Sequence, residues 1–319
     1  MAVYTKLNKS QIKAILQNFD SLPSSDFKYS GVGMGTVNTY YKIVYSPKKI
    51  YFLKIDEVGD EKRLKNEINV FKNIKEQSHQ LSYQTPYPLK TNSNKYYIPF
   101  KNKFVLIFPK VAGKAIFKAL QQNHLTQIGQ KMGELHLISL NKNIKAHRFC
   151  LKGLKQNYKN IQKKLIRKHP QIAKFIDKEF IFLNKNWPKD SSSCLVHADL
   201  FPENIHWKNK KFIGMIDFEA AGKGSPLFDL GVSFHALAHD GKQFSKSKIK
   251  AILRGYQKKI KLKAKDINML RYFLRLTSLR FLITRLKDFE LPQKSSSAEN
   301  FKDYRVYLSR CQNINKFFI

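Results

Sequence analysis

No stretch of this chain is apolar for long enough to cross a bilayer. Runs such as Phe104-Val105-Leu106-Ile107-Phe108 fall far short of the roughly 20 residues that a spanning helix needs. The opening residues MAVYTKLNKS turn polar within a few positions, so no secretory leader is expected. Cysteine is equally scarce: Cys150, Cys194 and Cys311 lie far apart, with no CxxC pair and no histidines at zinc-finger spacing. That excludes a disulfide scaffold and a structural zinc site. The three read as reduced, buried thiols, and a cytoplasmic location is expected. Only 14 Gly and 11 Pro in 319 residues, with 42% hydrophobic residues, exclude collagen-like and disordered chains. A chain of this length is large enough to bury the core of one large domain or two ordinary ones.

Acid is also in short supply: 23 Asp and Glu face 59 Lys and Arg, for a net charge of +36. A surplus of this size attracts phosphate-bearing partners, nucleic acid first among them. The lysines, however, are spread over nearly every segment rather than gathered in one stripe with interleaved aromatics. This pattern reads as a solvated surface that adheres to anions in a salt-sensitive way, without a specific nucleic-acid partner.

What is present falls into two halves. Ile12, Ile15, Leu16 and Phe19 recur at helical spacing over 10–19, so a short amphipathic helix is expected first. Strand patterns follow over 27–54. Gly31, Gly33 and Gly35 sit in a turn, and Tyr40 to Tyr45 and Ile50 to Leu53 flank Ser46-Pro47-Lys48-Lys49 as a hairpin. Leu64, Ile68, Phe71 and Ile74 return to the helical period over 61–75, and Phe104 to Phe108 reads as another strand before Pro109. Beyond Pro109 the pattern is mainly helical, over 125–137, 151–166, 172–183, 228–238, 249–257, 267–289 and 304–313, with Pro170 and Pro188 as interruptions. A hairpin joins Ile205-His206-Trp207 to 211–216 through Lys208-Asn209-Lys210. Serine-rich patches at 191–193 and 295–297 read as surface loops. The class is α+β: a small antiparallel sheet carrying one helix, over 1–109, then a larger helical lobe, over 110–319.

The chemistry concentrates in His197-Ala198-Asp199-Leu200-Phe201-Pro202-Glu203-Asn204 and, after the hairpin, Ile216-Asp217-Phe218. Phosphoryl transfer asks an enzyme mostly to position reactants and neutralise charge. Asp199 is suited to orient or deprotonate an attacking hydroxyl. Asn204, five positions on, offers a neutral oxygen to a metal, and Asp217 a second, anionic one, as hard cations such as Mg2+ prefer. Lys54, at the end of a strand, is placed for ATP phosphates, and Glu67 on the following helix is placed to pair with it. The glycines around Gly33 would let backbone amides approach phosphate, or simply turn a hairpin.

These residues carry a resemblance. DLFPEN looks like the catalytic loop of the protein-kinase-like superfamily, and Asp217-Phe218-Glu219 takes the place of its metal-binding Asp-Phe-Gly. The H-x-D opening without a following arginine is similar to the aminoglycoside phosphotransferase and choline kinase branch, whose members act on small molecules. The resemblance implies a two-lobed kinase-like fold, and it makes His197 a scaffold residue rather than a base. Further segments look like bacterial homoserine kinase of the phosphotransferase type: 1–5, Val37-Asn38-Thr39-Tyr40, Phe108-Pro109-Lys110-Val111-Ala112-Gly113, 129–136, 194–204, 280–286 and Lys302-Asp303. It implies transfer of the γ-phosphate of ATP to the side-chain hydroxyl of L-homoserine, a step toward threonine. In that frame ATP lies between the lobes against 104–108, with Phe108 and Lys110 near the adenine, and Asp229 supports the catalytic loop from behind or caps its own helix. That family leads one to expect an aromatic residue where this chain has Glu219.

Homoserine carries an ammonium and a carboxylate beside its hydroxyl, so its pocket needs a cation or amide donors. Asn38, Arg280 and Arg285 join Asp199 as substrate-binding candidates; the arginines would otherwise face solvent or pair with Asp288 and Glu290. His235 and His239 share a helix face at i,i+4 but have no evident third ligand, and read as helix-surface residues. Competing readings are a kinase for choline, thiamine, an aminoglycoside or a sugar, and a basic nucleic-acid-binding pseudokinase. Sequence leaves monomer or homodimer open.

Overall fold

The computed structural model describes residues 3–33, 37–117, 120–188, 192–292 and 303–314. Asn8 caps the first helix, α1 (Lys9–Leu16), in a reciprocal box with Gln11. Ile12, Ile15 and Leu16 of α1 are buried. Strands β1 (Lys28–Val32), β2 (Thr39–Ser46), β3 (Lys49–Asp56), β4 (Ile98–Phe100) and β5 (Lys103–Pro109) form one antiparallel sheet in the order β1-β2-β3-β5-β4. Between β3 and β4 the chain inserts α2 (Glu61–Glu76), capped by Asp60.

The period of two along β5 divides the interior. Val105 and Ile107 join Ile43, Leu53, Ile55 and the α1 residues in one core. Leu106 and Phe108 turn the other way and pack with Leu64 and Phe71 of α2 in a second core that continues into the helical lobe. Because β3 lies in the middle of the sheet, Lys54 is held between Tyr40 of β2 and Leu106 of β5.

The helical part comprises α3 (Gln122–Leu137), α4 (Leu151–Lys168), α5 (Pro170–Asn186), α6 (Pro226–Ser233), α7 (Lys246–Tyr256), α8 (Ala264–Arg285) and α9 (Tyr304–Asn313). Among them run the hairpin β7 (Ile205–Lys208) and β8 (Lys211–Met215), and the antiparallel pair β6 (Cys194–Val196) with β9 (Gly222–Gly224). Helices α3 and α7 approach so closely that a Cβ on Gly129 would stand 2.0 Å from the Ile252 carbonyl oxygen, and one on Gly255 1.9 Å from that of Thr126. Only glycine permits this contact.

The sequence reading misses β4, β6 and β9. Each is three residues long, too short for alternation to show. Pro170, read as an interruption, opens α5, where its missing N–H costs nothing. The expected helices over 228–238 and 267–289 begin earlier, at Pro226 and Ala264, and each ends in a π-helical turn, Phe234–Ala238 and Leu286–Glu290. His235 is buried, not on the surface, and meets Ser278 Oγ at 2.8 Å. Cys194 and Cys311 are buried free thiols as expected, whereas Cys150 is half-exposed. Gly31 lies in β1 and Gly33 in the turn after it; Gly35, the serine patch at 295–297 and Lys302 fall outside the described residues. Among the described residues no helix is long and apolar enough to cross a membrane.

Candidate active site

Strand β6 delivers the chain into 197–204, and the backbone there is fixed from behind. Asp229, fully buried on α6, accepts the N–H groups of His197 and Ala198, both at 2.7 Å, and also meets His136 Nε2 at 3.1 Å. Burial opposes its charge, yet these donors hold its carboxyl below the usual range. Ser225, not Asp229, caps α6. His197 Nε2 lies 2.9 Å from the Ile216 carbonyl, an obligatory acceptor. That nitrogen therefore carries the proton, and Nδ1 accepts the Asp199 N–H at 3.3 Å. Both ring nitrogens are thus engaged by backbone, and burial lowers the ring's pKa. His197 is a strut.

The same bonds draw the three chemical side chains together. Asn204 Nδ2 donates to the Asp199 carbonyl at 2.9 Å, and Ile216 N donates to the Asn204 carbonyl at 3.0 Å, which sets Asp217 beside them. Ala198 and Asp217 both have left-handed backbones, φ 63° and 65°. Burial, and then the neighbouring Glu219, push the Asp217 carboxyl up to about 6.

Across the cleft, Lys54 is 2% exposed and bonds both oxygens of Glu67, at 2.9 and 3.1 Å. A second carboxylate, Glu219, reaches it at 3.2 Å. Glu219 also accepts Arg63 at 2.9 Å, Arg148 at 3.1 Å and the Asn38 amide in a short contact. Arg63 in turn holds buried Asp56 at 2.5 Å. Burial alone would raise the Glu219 carboxyl, but Lys54, Arg148 and Arg63 hold it well below the normal range. The sequence reading noted Glu219 only as an unexpected residue and missed Arg63 and Arg148. Two of these partners, Arg63 and Arg148, lie 156 and 71 positions from it, so no local pattern announces them.

A divalent cation fits this arrangement. Among the described residues no cation is hydrogen-bonded to the Asp217 carboxylate, and Asn204 turns its amide N–H to the Asp199 carbonyl, which leaves its Oδ1 for a ligand. Among the described residues no three His, Cys, Asp or Glu gather into a complete metal cluster. The pair is a half-shell of the kind Mg2+ completes with substrate phosphates and water.

Residues 28–266 match the model of the phosphotransferase enzyme family. The chain belongs to that family. Over 97% of this phosphotransferase and 95% of the relative, it is 24% identical to a homoserine kinase of Parvibaculum lavamentivorans. A homoserine kinase of Bartonella henselae is 27% identical over 91% of this chain and 89% of the relative. Solved structures share the fold from end to end. An amicoumacin kinase in complex with AMP-PNP, Ca2+ and Ami has a TM-score of 0.69 at 14% identity, covering 97% of this chain and 94% of that one. A microcompartment-associated aminopropanol kinase has a TM-score of 0.65 at 15% identity, with 97% of each chain covered. The fold is thus the expected kinase-like one, a sheet lobe with an inserted helix and a helical lobe.

The remaining expected residues of the phosphotransferase separate. Asn38, expected at the acceptor, is 3% exposed and engaged by Glu219 and the Glu57 N–H; it belongs to the Lys54 side. Arg280, also expected to meet substrate, is 4% exposed, and its Nη2 donates to Asp199 Oδ1 at 2.6 Å instead of pairing with Asp288 or Glu290. Arg285 is half-buried and lies over the rings of Phe281 and Tyr307. Gly33 sits in the turn just after β1. The Phe108 side chain packs on Phe71, ring centroids 5.5 Å apart, and Lys110 N donates to the Ile50 carbonyl.

Proposed function

We propose that this phosphotransferase moves the γ-phosphate of ATP to the side-chain hydroxyl of L-homoserine, a step toward threonine. The reaction class is supported by one observation: backbone bonds tie Asp199, Asn204 and Ile216-Asp217 to one another, on the far side of Glu219 from the Lys54–Glu67 pair, where they would serve as a base and two metal ligands. The choice of homoserine is supported by curated relatives of that name, which align over nearly the whole chain.

In this reading the sheet lobe, 1–109, and the helical lobe, 110–319, bracket the nucleotide, with its adenine beside β5, Phe108 and Lys110 and its phosphates near Gly33 and Lys54. Glu67 and Glu219 hold Lys54 in place. Asn204 and Asp217 would hold magnesium, which would supply positive charge against the charge that develops on the phosphates. Asp199 aligns the acceptor hydroxyl and takes its proton late in the step. The hydroxyl oxygen bonds to phosphorus as the bond to ADP breaks, and the electron pair leaves with ADP. Half-buried Arg285 offers a cation to the acceptor's carboxylate, and exposed Glu203, one residue before Asn204, offers a carboxylate to its ammonium.

Coupled ADP release tests the reading with L-homoserine, 3-aminopropan-1-ol, choline, thiamine and kanamycin as acceptors. Homoserine alone should stimulate turnover strongly. Equal stimulation by 3-aminopropan-1-ol, which is homoserine without its carboxylate, would overturn the substrate assignment.

A further inference from the structure

Helix α8 carries two arginines, Arg280 buried and Arg275 largely shielded, that pair with carboxylates in opposite ways. Arg275 meets Glu179 through two nitrogens, Nε at 2.5 Å and Nη2 at 3.0 Å, and both side chains are shielded, 13% and 8% exposed. This is the fork geometry of a structural clamp. Arg280, little more than one turn on, is buried more deeply, at 4%, yet makes a single bond through Nη2 to one oxygen of Asp199, a side chain 34% exposed. Its Nε and Nη1 are buried and, among the described residues, have no hydrogen-bond partner. What supports its charge is aromatic: the guanidinium carbon lies 4.1 Å from the ring centre of Phe149 and 4.2 Å from that of Phe281.

A cation taken out of water for one half of one partly exposed carboxylate is an expensive way to stabilise a fold. It is an effective way to aim the other half. With Oδ1 tied to Arg280, and Arg280 fixed against two rings, rotation of the Asp199 carboxylate is restricted and Oδ2 is left for the cleft.

We propose that Arg280 is the positioning residue of the reaction, holding Asp199 by Oδ1 so that Oδ2 faces the acceptor hydroxyl. This rests on the proposed role of Asp199 but not on the identity of the acceptor. It also assigns a task to the two rings. A planar guanidinium lies flat on an aromatic face, whereas a lysine ammonium is a strongly hydrated point charge, so Arg280→Lys does not replace the arginine.

The test compares Arg280→Ala with Arg275→Ala in the full chain, below their thermal transitions. Turnover is read with L-homoserine and, separately, as slow ATP hydrolysis by water. Arg280→Ala is expected to lower kcat in both assays, by about 100-fold, the scale of a misplaced reacting group, while KM for ATP stays near the wild-type value. Arg275→Ala is expected to lower the melting temperature and leave kcat alone. Added methylguanidinium should restore turnover of Arg280→Ala in a saturable way and do nothing for Arg275→Ala. The proposal is overturned if Arg280→Ala keeps its kcat, or if methylguanidinium raises its melting temperature without restoring turnover, which would make the arginine a structural filler. A wild-type enzyme that ignores homoserine yet loses its ATP hydrolysis on Arg280→Ala would overturn the substrate reading and support this one.

Discussion

The two sides of the cleft are built to opposite rules. Around Glu219, three cations, Lys54, Arg63 and Arg148, are matched against Glu67, Asp56 and Glu219, and each cation meets at least one carboxylate. Around the Asp199 carboxylate, among the described residues, there is one ion-pair partner, Arg280, and a partly exposed side. The first arrangement holds its geometry with or without a ligand, because each charge fixes the next. The second keeps one acidic oxygen uncommitted. A saturated network of buried charges should therefore fail by unfolding when cut, and a sparse one by slowing.

The largest expected effect is on the sparse side. Asp199→Ala should lower turnover by at least ~100-fold, the low end for a lost general base, with ADP binding by calorimetry almost unchanged. Normal turnover would remove Asp199 from the mechanism. Next, Glu219→Ala removes the second carboxylate from Lys54 and Arg63 and the one that meets Arg148, and should cost about 3 kcal/mol in urea unfolding, as for a broken buried ion pair. If Asp199→Ala costs as much stability as Glu219→Ala, the contrast between the two sides fails. Asp217→Asn should abolish the magnesium dependence of ADP affinity while leaving metal-free binding in place; an unchanged magnesium titration would count against Asp217 as a ligand.

The smallest effect is one of pH. In the folded protein the Asp217 carboxyl is raised to about 6 from its ordinary 3.8, so between those values the folded chain holds a proton that the unfolded chain has lost. Within that window this group makes the unliganded protein less stable as pH rises. Divalent-cation binding needs the carboxylate and should strengthen through the same window, levelling off above about 6. Asp217→Asn should flatten both trends, and a magnesium affinity that rises steadily beyond neutral pH would assign the proton elsewhere.

The sequence disclosed the sparse side more fully than the saturated one, and the reason is distance along the chain. Asp199 and Asn204 are five residues apart and Asp217 follows one hairpin later, so their spacing is set by local turns and could be read in one line. Lys54 and Glu67 are 13 apart, on a strand and the helix after it, and were read together for the same reason. Arg63, Arg148 and Asn38 converge on Glu219 only when the sheet closes over the helical lobe, and nothing in their neighbourhoods foretells that. Arg280 was singled out, but its partner was not, because a helix face says which residues point inward and not what they meet. In the fold, long amphipathic helices and the central strands were legible. The three-residue strands β4, β6 and β9 were not, since their pairing comes from the tertiary structure and not from their own composition.

The left-handed backbone at Ala198 reaches beyond the resting geometry. Valine and threonine both lie one base change from an alanine codon, and both are β-branched, the side-chain shape that this conformation tolerates least. Glycine, also one base change away, fits without strain but loosens the hold on its neighbour. Point mutation therefore offers this position few useful substitutions, and the filter is the curve of the main chain, applied before any question of chemistry arises.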